Sequence, residues 1–197
     1  RDAARKEASK LNVPRIGVRF RLPASMNQVE YFGRGPAENY LDRNAGSMVG
    51  LYKSTAEELY FPYVRPQENG HHTDTRWVSL STGKKGLLIQ ADNTIGFNAL
   101  RNSIEDFDDE EATGLSRQWS NFTPEQVANH DEAAAKNVLR RQHHINDITP
   151  RDFVEVCVDL KQQGVAGYDS WGSRPEPAYT LPANREYNWG FTLIPLK

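Results

Sequence analysis

The sequence is poor in several features that define large classes of protein. It contains a single cysteine, Cys157, so an internal disulfide and a zinc site built from several cysteines are both excluded. No apolar run approaches the roughly 18–20 residues that a transmembrane helix needs. The formal net charge is -2, which gives no electrostatic reason to expect binding to nucleic acid or to an anionic membrane. One thiol suits the cytoplasm and the periplasm equally, so it assigns no compartment.

Signatures of common catalytic chemistries are missing as well. The chain has no nucleophile elbow, no phosphate-binding loop and no catalytic cysteine pair. Glycoside hydrolysis needs two carboxylates at a fixed separation across the sugar, but the densest group of acids is one run, 105–111, which we interpret as a solvated face. The isolated acids in motif-like settings are Glu38, Glu68 and Asp169, and each is equally well explained as a cap or as an acceptor that fixes a loop. No residue is therefore predicted to be catalytic.

The histidines do not predict a metal centre. Four of the five form two adjacent pairs, His71–His72 near Asp74 and His143–His144 near Asp147. Adjacent side chains on a strand point to opposite faces, so neither pair is expected to chelate one metal ion. A site would need ligands from both pairs, and we predict ordinary polar or loop histidines instead.

The sequence does contain strong strand signals and many aromatic residues, with eight Tyr, eight Phe and four Trp. Alternation of apolar and polar residues predicts three strands and four shorter ones, at 16–22, 154–160 and 187–193, and at 28–32, 77–80, 86–91 and 96–100. Gly83–Lys85 and Asp92–Thr94 are typical of hairpin turns between the short strands. We therefore predict an all-β fold of the sandwich type, with the alternating polar residues in water.

One segment, about 103–141, departs from this strand pattern. Its acidic run is followed by helix signals: Thr123 as a cap, Pro124 and Gln126 in the first turn, and the helix formers 133–136. We predict a helical or irregular insertion, either a surface excursion or a lid or partner-binding arm. Residues 1–11 are expected to be the remnant of a linker, and 12–197 a single sandwich domain.

Three segments are dense in residues that fix turns or offer an aromatic face. The first is Phe32–Arg43, the second is Tyr63–Gly70 with Arg76, and the third is Gly167–Gly172. Their predicted structural residues are Gly33, Gly35, Pro36, Glu38, Asn39, Tyr40, Arg43, Glu68, Asn69, Gly70 and Arg76. In the third segment Trp171 stands in a glycine-flanked loop, where an indole either plugs the core or offers a flat apolar face to a sugar.

Together these segments resemble the C-terminal domain of the β-galactosidases of glycoside hydrolase family 2. The family pattern runs P-R-[IL]-G, G-x-G-P-x-E-N-Y-x-D-R, Y-x-x-P-x-E-N-G, Thr-Arg and, late in the chain, D-S-W. Here these are Pro14–Gly17, Gly33–Arg43, Tyr63–Gly70, Thr75–Arg76 and Asp169–Trp171. Their order and spacing match from about residue 12 onward. The stretch from about 108 to 138 departs from the shorter family members as an insertion.

The resemblance implies a large antiparallel sandwich of two sheets, the supersandwich shared with galactose mutarotases. It implies a parent enzyme that hydrolyses terminal β-galactosides such as lactose with retention. The catalytic glutamates and the Mg and Na ligands would lie in an upstream barrel, so this domain would need no cofactor. Trp171, with Asp169 beside it, would supply an aromatic rim to the substrate site. The expected partners are the upstream domains, the galactoside and further copies of the parent.

Two alternatives from other functional classes remain open. A free-standing aldose epimerase would need a general acid and a general base, for which His71 or His72 with Glu68 are the candidates. An autonomous carbohydrate-binding module would use exposed aromatics, for which Trp171, Tyr168 and Trp119 are the candidates.

Overall fold

A computed structural model of the chain describes residues 11–107, 145–169 and 171–197. Seven β-strands dominate these residues, and every pairing between them is antiparallel. The strands are β1 (Arg15–Pro23), β2 (Gln28–Gly35), β3 (Met48–Thr55), β4 (His72–Ser81), β5 (Gly86–Leu100), β6 (Phe153–Gln162) and β7 (Phe191–Leu196). The predicted all-β, antiparallel architecture is confirmed and is consistent with a sandwich.

The sheet divides along its longest strand, β5. The strand order is β1-β6-β5-β4-β2-β3, and β7 also pairs with β5. Residues 86–91 of β5 pair with β7, whereas residues 96–100 pair with β6. Because β5 exchanges one neighbour for another between these stretches, the seven described strands form one hydrogen-bonded sheet with two branches.

This exchange of neighbours corrects one predicted turn. Asp92–Thr94 was expected to separate two short strands, but it lies inside the continuous β5. The Asp92 N–H donates to the Gly190 carbonyl at 3.1 Å, so the backbone stays extended where the partner strand changes. The predicted turn at Gly83–Lys85 is confirmed, since the Thr82 N–H donates to the Lys85 carbonyl at 2.9 Å.

The described core lies on the face of the sheet that carries Tyr31, Val78, Ile89 and Phe97. The Tyr31 ring lies edge-on to Phe97, with their centroids 5.0 Å apart, in the geometry that aromatic pairs favour. The other fully buried apolar side chains of large volume are Tyr40, Leu80, Val29, Val154, Val156 and Val158. Val18 of β1 is 45% exposed although its alternation predicted a buried position.

The face of β6 that was predicted to be solvated is buried. Glu155 and Asp159 are almost inaccessible, as is Cys157 between them. Arg15 Nε lies 3.0 Å from Asp159 Oδ2, and Arg21 Nε lies 3.1 Å from Glu155 Oε2. The alternation of β6 is therefore real, but its second face is covered by the arginines of β1, because buried carboxylates need a paired cation.

The described residues divide into two compact units. One takes in 11–61, 69–101, 151–169 and 171–197 and holds all seven strands. The other takes in 62–68, 102–107 and 145–150, with short 3-10 helices at Ile104–Phe107 and Ile145–Asp147. Within this second unit Asp106 is buried rather than solvated, and its carboxylate accepts the Ser103 N–H at 2.9 Å.

Several predictions concern residues that the structure does not describe. The linker remnant 1–11 lies outside the described residues except for Leu11. The predicted insertion is described only over 103–107, and the helix signals around Thr123–Lys136 lie outside, as do Trp119 and the pair His143–His144. Among the helices in the described ranges, none is both long and apolar enough to cross a membrane.

Candidate functional site

Trp171 stands at the tip of a loop between β6 and β7. Its side chain is 93% exposed, and the neighbouring Tyr168 is 60% exposed. A large apolar ring that is left in water at a defined position offers its face to a ligand or to another surface. The alternative of a core-plugging aromatic is therefore wrong for Trp171.

Hydrogen bonds inside this loop hold its shape. Asp169 Oδ1 accepts the backbone N–H groups of Trp171 at 2.8 Å and of Ser173 at 3.3 Å. Ser173 Oγ in turn accepts the Gly167 N–H at 3.2 Å. A carboxylate that bonds to backbone N–H groups two and four residues ahead fixes a local turn. Asp169 therefore orders the backbone on which Trp171 is carried.

Tyr168 closes the C-terminal side of the same loop. Its hydroxyl donates to the Arg174 carbonyl at 3.2 Å and accepts the Glu176 N–H at 3.2 Å. At the base of the loop the Gly164 N–H donates to the Tyr179 carbonyl at 2.8 Å. This hydrogen bond closes the loop formed by residues 164–179, which we call the Trp171 loop.

A residue far away in sequence anchors the base of the Trp171 loop. Asp42 Oδ1 accepts the Val165 N–H at 3.1 Å, and Asp42 Oδ2 accepts the Ala166 N–H at 2.8 Å. The backbone comes so close here that a Cβ on Gly164 would lie 2.5 Å from Asp42 Cγ. The second motif of the resemblance, G-x-G-P-x-E-N-Y-x-D-R, is thereby joined to the loop that carries the last motif, D-S-W.

Glu38 joins the first sequence segment to the second. Its Oε2 accepts the Gly70 N–H at 2.7 Å and the Tyr40 hydroxyl at 3.2 Å. Its Oε1 lies 2.9 Å from Arg43 Nη2. The carboxylate is 5% exposed, so these donors replace the water that it would otherwise require.

Asn39 connects the first segment to β4. Its amide donates to the carbonyls of Arg34 and Ala37, both at 3.1 Å. Its Oδ1 accepts both the N–H of Thr73, at 2.9 Å, and its hydroxyl, at 2.6 Å. A buried amide whose donors and acceptor are all used fixes one geometry for the turn.

A buried polar cluster lies under these turns. His71 Nδ1 donates to Asn98 Oδ1 at 2.8 Å, because an amide oxygen only accepts. Asn98 Oδ1 also accepts from Arg15, and its amide donates to the Asn69 carbonyl. Burial, together with the nearby Arg15 guanidinium, lowers the pKa of His71 to about 3. His71 is therefore a neutral structural residue at ordinary pH.

His72 is equally inaccessible and lies on the opposite side of its strand. Its Nδ1 faces the Gly70 carbonyl at 3.1 Å, and its Nε2 faces the Pro36 carbonyl at 3.2 Å. Burial lowers the pKa of His72, while these carbonyls act against that effect. Neither histidine reaches the surface, where a general acid for a sugar would have to stand.

The remaining predicted structural residues lie in three places. Gly33 crosses β4 so closely that a Cβ there would lie 2.9 Å from the Thr75 Cα. The Gly35–Pro36 bond is cis, and the Pro36 carbonyl accepts from Tyr31 at 3.3 Å. Arg76 lies over the Phe32 ring, 5.5 Å from its centroid.

Two predicted residues of the second segment, Asn69 and Glu68, fall in different compact units. Asn69 bonds to both backbone groups of Phe61, with the Phe61 N–H 2.8 Å from its Oδ1. Gly70 follows with φ of 69°. Glu68 belongs to the second compact unit, where its side chain is half-buried.

Asp42 was not predicted from the sequence as a site residue, and neither were Arg15, Asn98 and Asp159. Asp42 occupies the penultimate position of the second motif, so the pattern itself contained the signal. Asp159 lies on the strand face that alternation predicted to be solvated, Arg15 stands in the first motif of the resemblance, and Asn98 lies in a short predicted strand to which no buried face was assigned. Across the part of the chain that the structure describes, no three His, Cys, Asp or Glu side chains lie together as a metal site requires.

Comparisons with known proteins identify a family and several relatives of this chain. A family model described as β-galactosidase small chain matches residues 2–193. A β-galactosidase of Priestia megaterium is 35% identical over 185 residues, which are 93% of this chain and 15% of that protein. For a β-galactosidase of Arthrobacter sp. the identity is 42% over 99 residues, 47% of this chain and 10% of that protein.

A more distant β-galactosidase, from Vibrio cholerae, is 29% identical over 181 residues. That match takes in 92% of this chain and 14% of the relative. The chain thus spans no more than 15% of the length of these relatives.

Proposed function

Because the chain belongs to the β-galactosidase small-chain family, we propose that it is a non-catalytic C-terminal domain of a retaining β-galactosidase. The complete enzyme hydrolyses terminal β-galactosides such as lactose. This domain completes the substrate site with the indole of Trp171 and otherwise serves structure and assembly. The single observation that carries the proposal is the 93% exposure of Trp171 on a hydrogen-bonded loop.

The chemistry of an exposed indole supports a role in sugar binding. Its flat apolar face suits the C–H face of a pyranose, and its N–H is a hydrogen-bond donor. The loop keeps this face out of the core through the backbone bonds made by Asp169. Asp169 therefore acts on the sugar through the position of Trp171.

Several carboxylates of this domain are already occupied by structural contacts, which supports a non-catalytic role. Glu38 is held by the Gly70 N–H and Arg43, and Asp169 by two backbone N–H groups. On β6, the buried Glu155 pairs with Arg19 and Arg21 of β1. A retaining glycosidase needs a nucleophile and an acid that both face the sugar. We place that pair, and the Mg and Na ligands of the parent, in its upstream domains.

Replacing Trp171 in the complete polypeptide tests the proposal. Trp171→Ala is expected to raise KM for a β-galactoside about fivefold, since aromatic stacking is worth about 1 kcal/mol. Trp171→Phe keeps a flat ring and is expected to keep most of the affinity. Steady-state kinetics with a chromogenic galactoside measure both. An unchanged KM in Trp171→Ala would refute a sugar contact.

The isolated 197-residue chain gives a second test. It is expected to show no galactosidase activity, because the catalytic glutamates are proposed to lie outside it. Turnover that scales with the purified chain and resists further purification would show that the domain is itself a catalyst. A sample of the complete polypeptide, assayed in parallel, is the positive control.

An autonomous carbohydrate-binding module is the second candidate, because Trp171 and Tyr168 are both exposed. One aromatic platform is expected to give only weak binding, of roughly millimolar affinity. Calorimetric titration of the chain with galactose or lactose separates the two candidates, since micromolar affinity would favour the module. The epimerase alternative loses its acid–base pair, because His71 and His72 are buried.

A further inference from the structure

Asp42 lies outside the Trp171 loop, and both oxygens of its carboxylate accept hydrogen bonds from consecutive backbone N–H groups of that loop. The donors are Val165 and Ala166, and Asp42 precedes them by 123 and 124 residues. Hydrogen bonds to a charged acceptor are about twice as strong as neutral ones. The contact therefore fixes the base of the loop against a distant turn.

The backbone at this contact is held in a conformation that it would not adopt by itself. Ala166 has φ of 54° and Gly167 has φ of 83°. A left-handed alanine costs roughly 1–2 kcal/mol, so neighbouring contacts must hold it there. Two consecutive N–H groups pointing at one carboxylate supply that restraint, and they set the direction in which the chain leaves toward Trp171.

The turn that carries Asp42 is itself fixed. Tyr40 and Arg43 exchange backbone hydrogen bonds, with the Arg43 N–H 2.8 Å from the Tyr40 carbonyl. Arg43 pairs with Glu38, which accepts the Gly70 N–H just ahead of β4. A continuous series of contacts thus connects the sheet to Asp42 and Asp42 to the loop.

We infer that Asp42 is a positioning residue for Trp171, holding the base of the loop so that the indole is presented at one place. This inference rests on the proposed function, in which Trp171 contacts the galactoside. Asp42 contacts the backbone of the loop, so its effect on the sugar passes through the loop.

The test is a double-mutant cycle in the complete polypeptide, with Asp42→Asn, Trp171→Ala and both together. Asn has the size of Asp but only one acceptor oxygen, and its amide would face a backbone N–H. If the correctly placed loop falls to about a third of the population, KM rises about threefold with little change in kcat. Asp152→Asn, at an exposed position on unrelated backbone, is the matched control.

The cycle separates a positioning effect from a general loss of stability. In the Trp171→Ala background Asp42→Asn is expected to change KM by less than about 1.5-fold, because the two residues act through one contact. An equal rise of KM in both backgrounds would overturn the inference. A rise of KM in Trp171→Ala with no rise in Asp42→Asn would also overturn the inference. It would leave the proposed function intact.

Hydrogen–deuterium exchange of the same proteins supplies a readout independent of activity. Peptides that cover 163–176 are expected to exchange faster in Asp42→Asn than in Asp152→Asn, because one of the two amides loses its acceptor and the other loses a charged one. Unchanged exchange would contradict the anchoring role of Asp42. Exchange could rise in Asp42→Asn while Trp171→Ala leaves KM unchanged. That result would refute the proposed sugar contact, and with it the inference that Asp42 positions a substrate-binding residue.

Discussion

The chemistry of His71 is determined by its surroundings in the fold. It is fully buried, donates to Asn98, and stacks against Tyr40 with their ring centroids 5.7 Å apart. The sequence offered His71 as a candidate acid or base because histidine titrates near neutrality. Burial removes that property by lowering the pKa to about 3.

The depressed pKa of His71 predicts a pH dependence of stability. Above about pH 6.5 neither the folded nor the unfolded chain protonates this residue, so it contributes no slope. Below that pH His71 binds a proton in the unfolded chain but not in the folded chain, so the free energy of unfolding falls as pH falls. The fall is up to about 1.4 kcal/mol per pH unit between about pH 6.5 and 3.

His71→Asn isolates this contribution. The variant is expected to be less stable at pH 7, because it loses the ring that packs on Tyr40. Between pH 6.5 and 4.5, however, it is expected to lose about 2 kcal/mol less than the unsubstituted chain. Urea unfolding at several pH values measures the difference. Equal slopes for the two proteins would show that His71 is protonated in the folded state.

At the scale of strands, the contact between β1 and β6 depends on one close approach. The register of the pair shifts between Ile16 and Gly17, and a Cβ on Gly17 would lie 2.6 Å from the Val158 carbonyl oxygen. That oxygen belongs to the backbone of a buried strand and cannot move aside cheaply. A glycine is therefore required where the shift brings the two backbones together.

Gly17→Ala is consequently expected to destabilise the chain by about 1–3 kcal/mol, as overpacking does. Gly46→Ala is the matched control, because a Cβ there would meet nothing within 4 Å. It is expected to leave the free energy of unfolding within about 0.5 kcal/mol. Urea midpoints at constant m-value compare the two variants. Equal midpoints would contradict the close approach.

The strands also show how far alternation predicts a fold. It located β1, β2 and β6 within about three residues and the second half of β4, because period-two patterns follow directly from pleated backbone. It missed β3, which lies at an edge of the sheet and exposes Val49 and Leu51. It also placed the last strand early, since β7 begins only at Phe191.

Burial of both faces of β6 was beyond the reach of a local pattern. Whether Glu155 and Asp159 face water depends on Arg15 and Arg21, which come from the other end of the chain. The same holds for the site. Motif resemblance singled out Trp171, Glu38 and Asn39, but the contact of Asp42 with the loop spans more than 120 residues.

At the scale of the whole molecule, the chain spans only about 15% of the length of the relatives it matches. Its fold can therefore place Trp171 on a fixed loop, but it does not define which group Trp171 contacts. The proposed complete enzyme supplies the rest, with the catalytic glutamates and the metal ligands in upstream domains. Assembly of the parent into a homo-oligomer belongs to the same proposal.

The most direct measurement is the structure of the complete polypeptide with a galactoside bound. The account predicts that the Trp171 ring lies within about 4.5 Å of the sugar carbons, the range of apolar contact. It also predicts that both catalytic carboxylates come from outside the 197 residues. A Trp171 ring packed against another domain, out of reach of the bound sugar, would contradict the central claim.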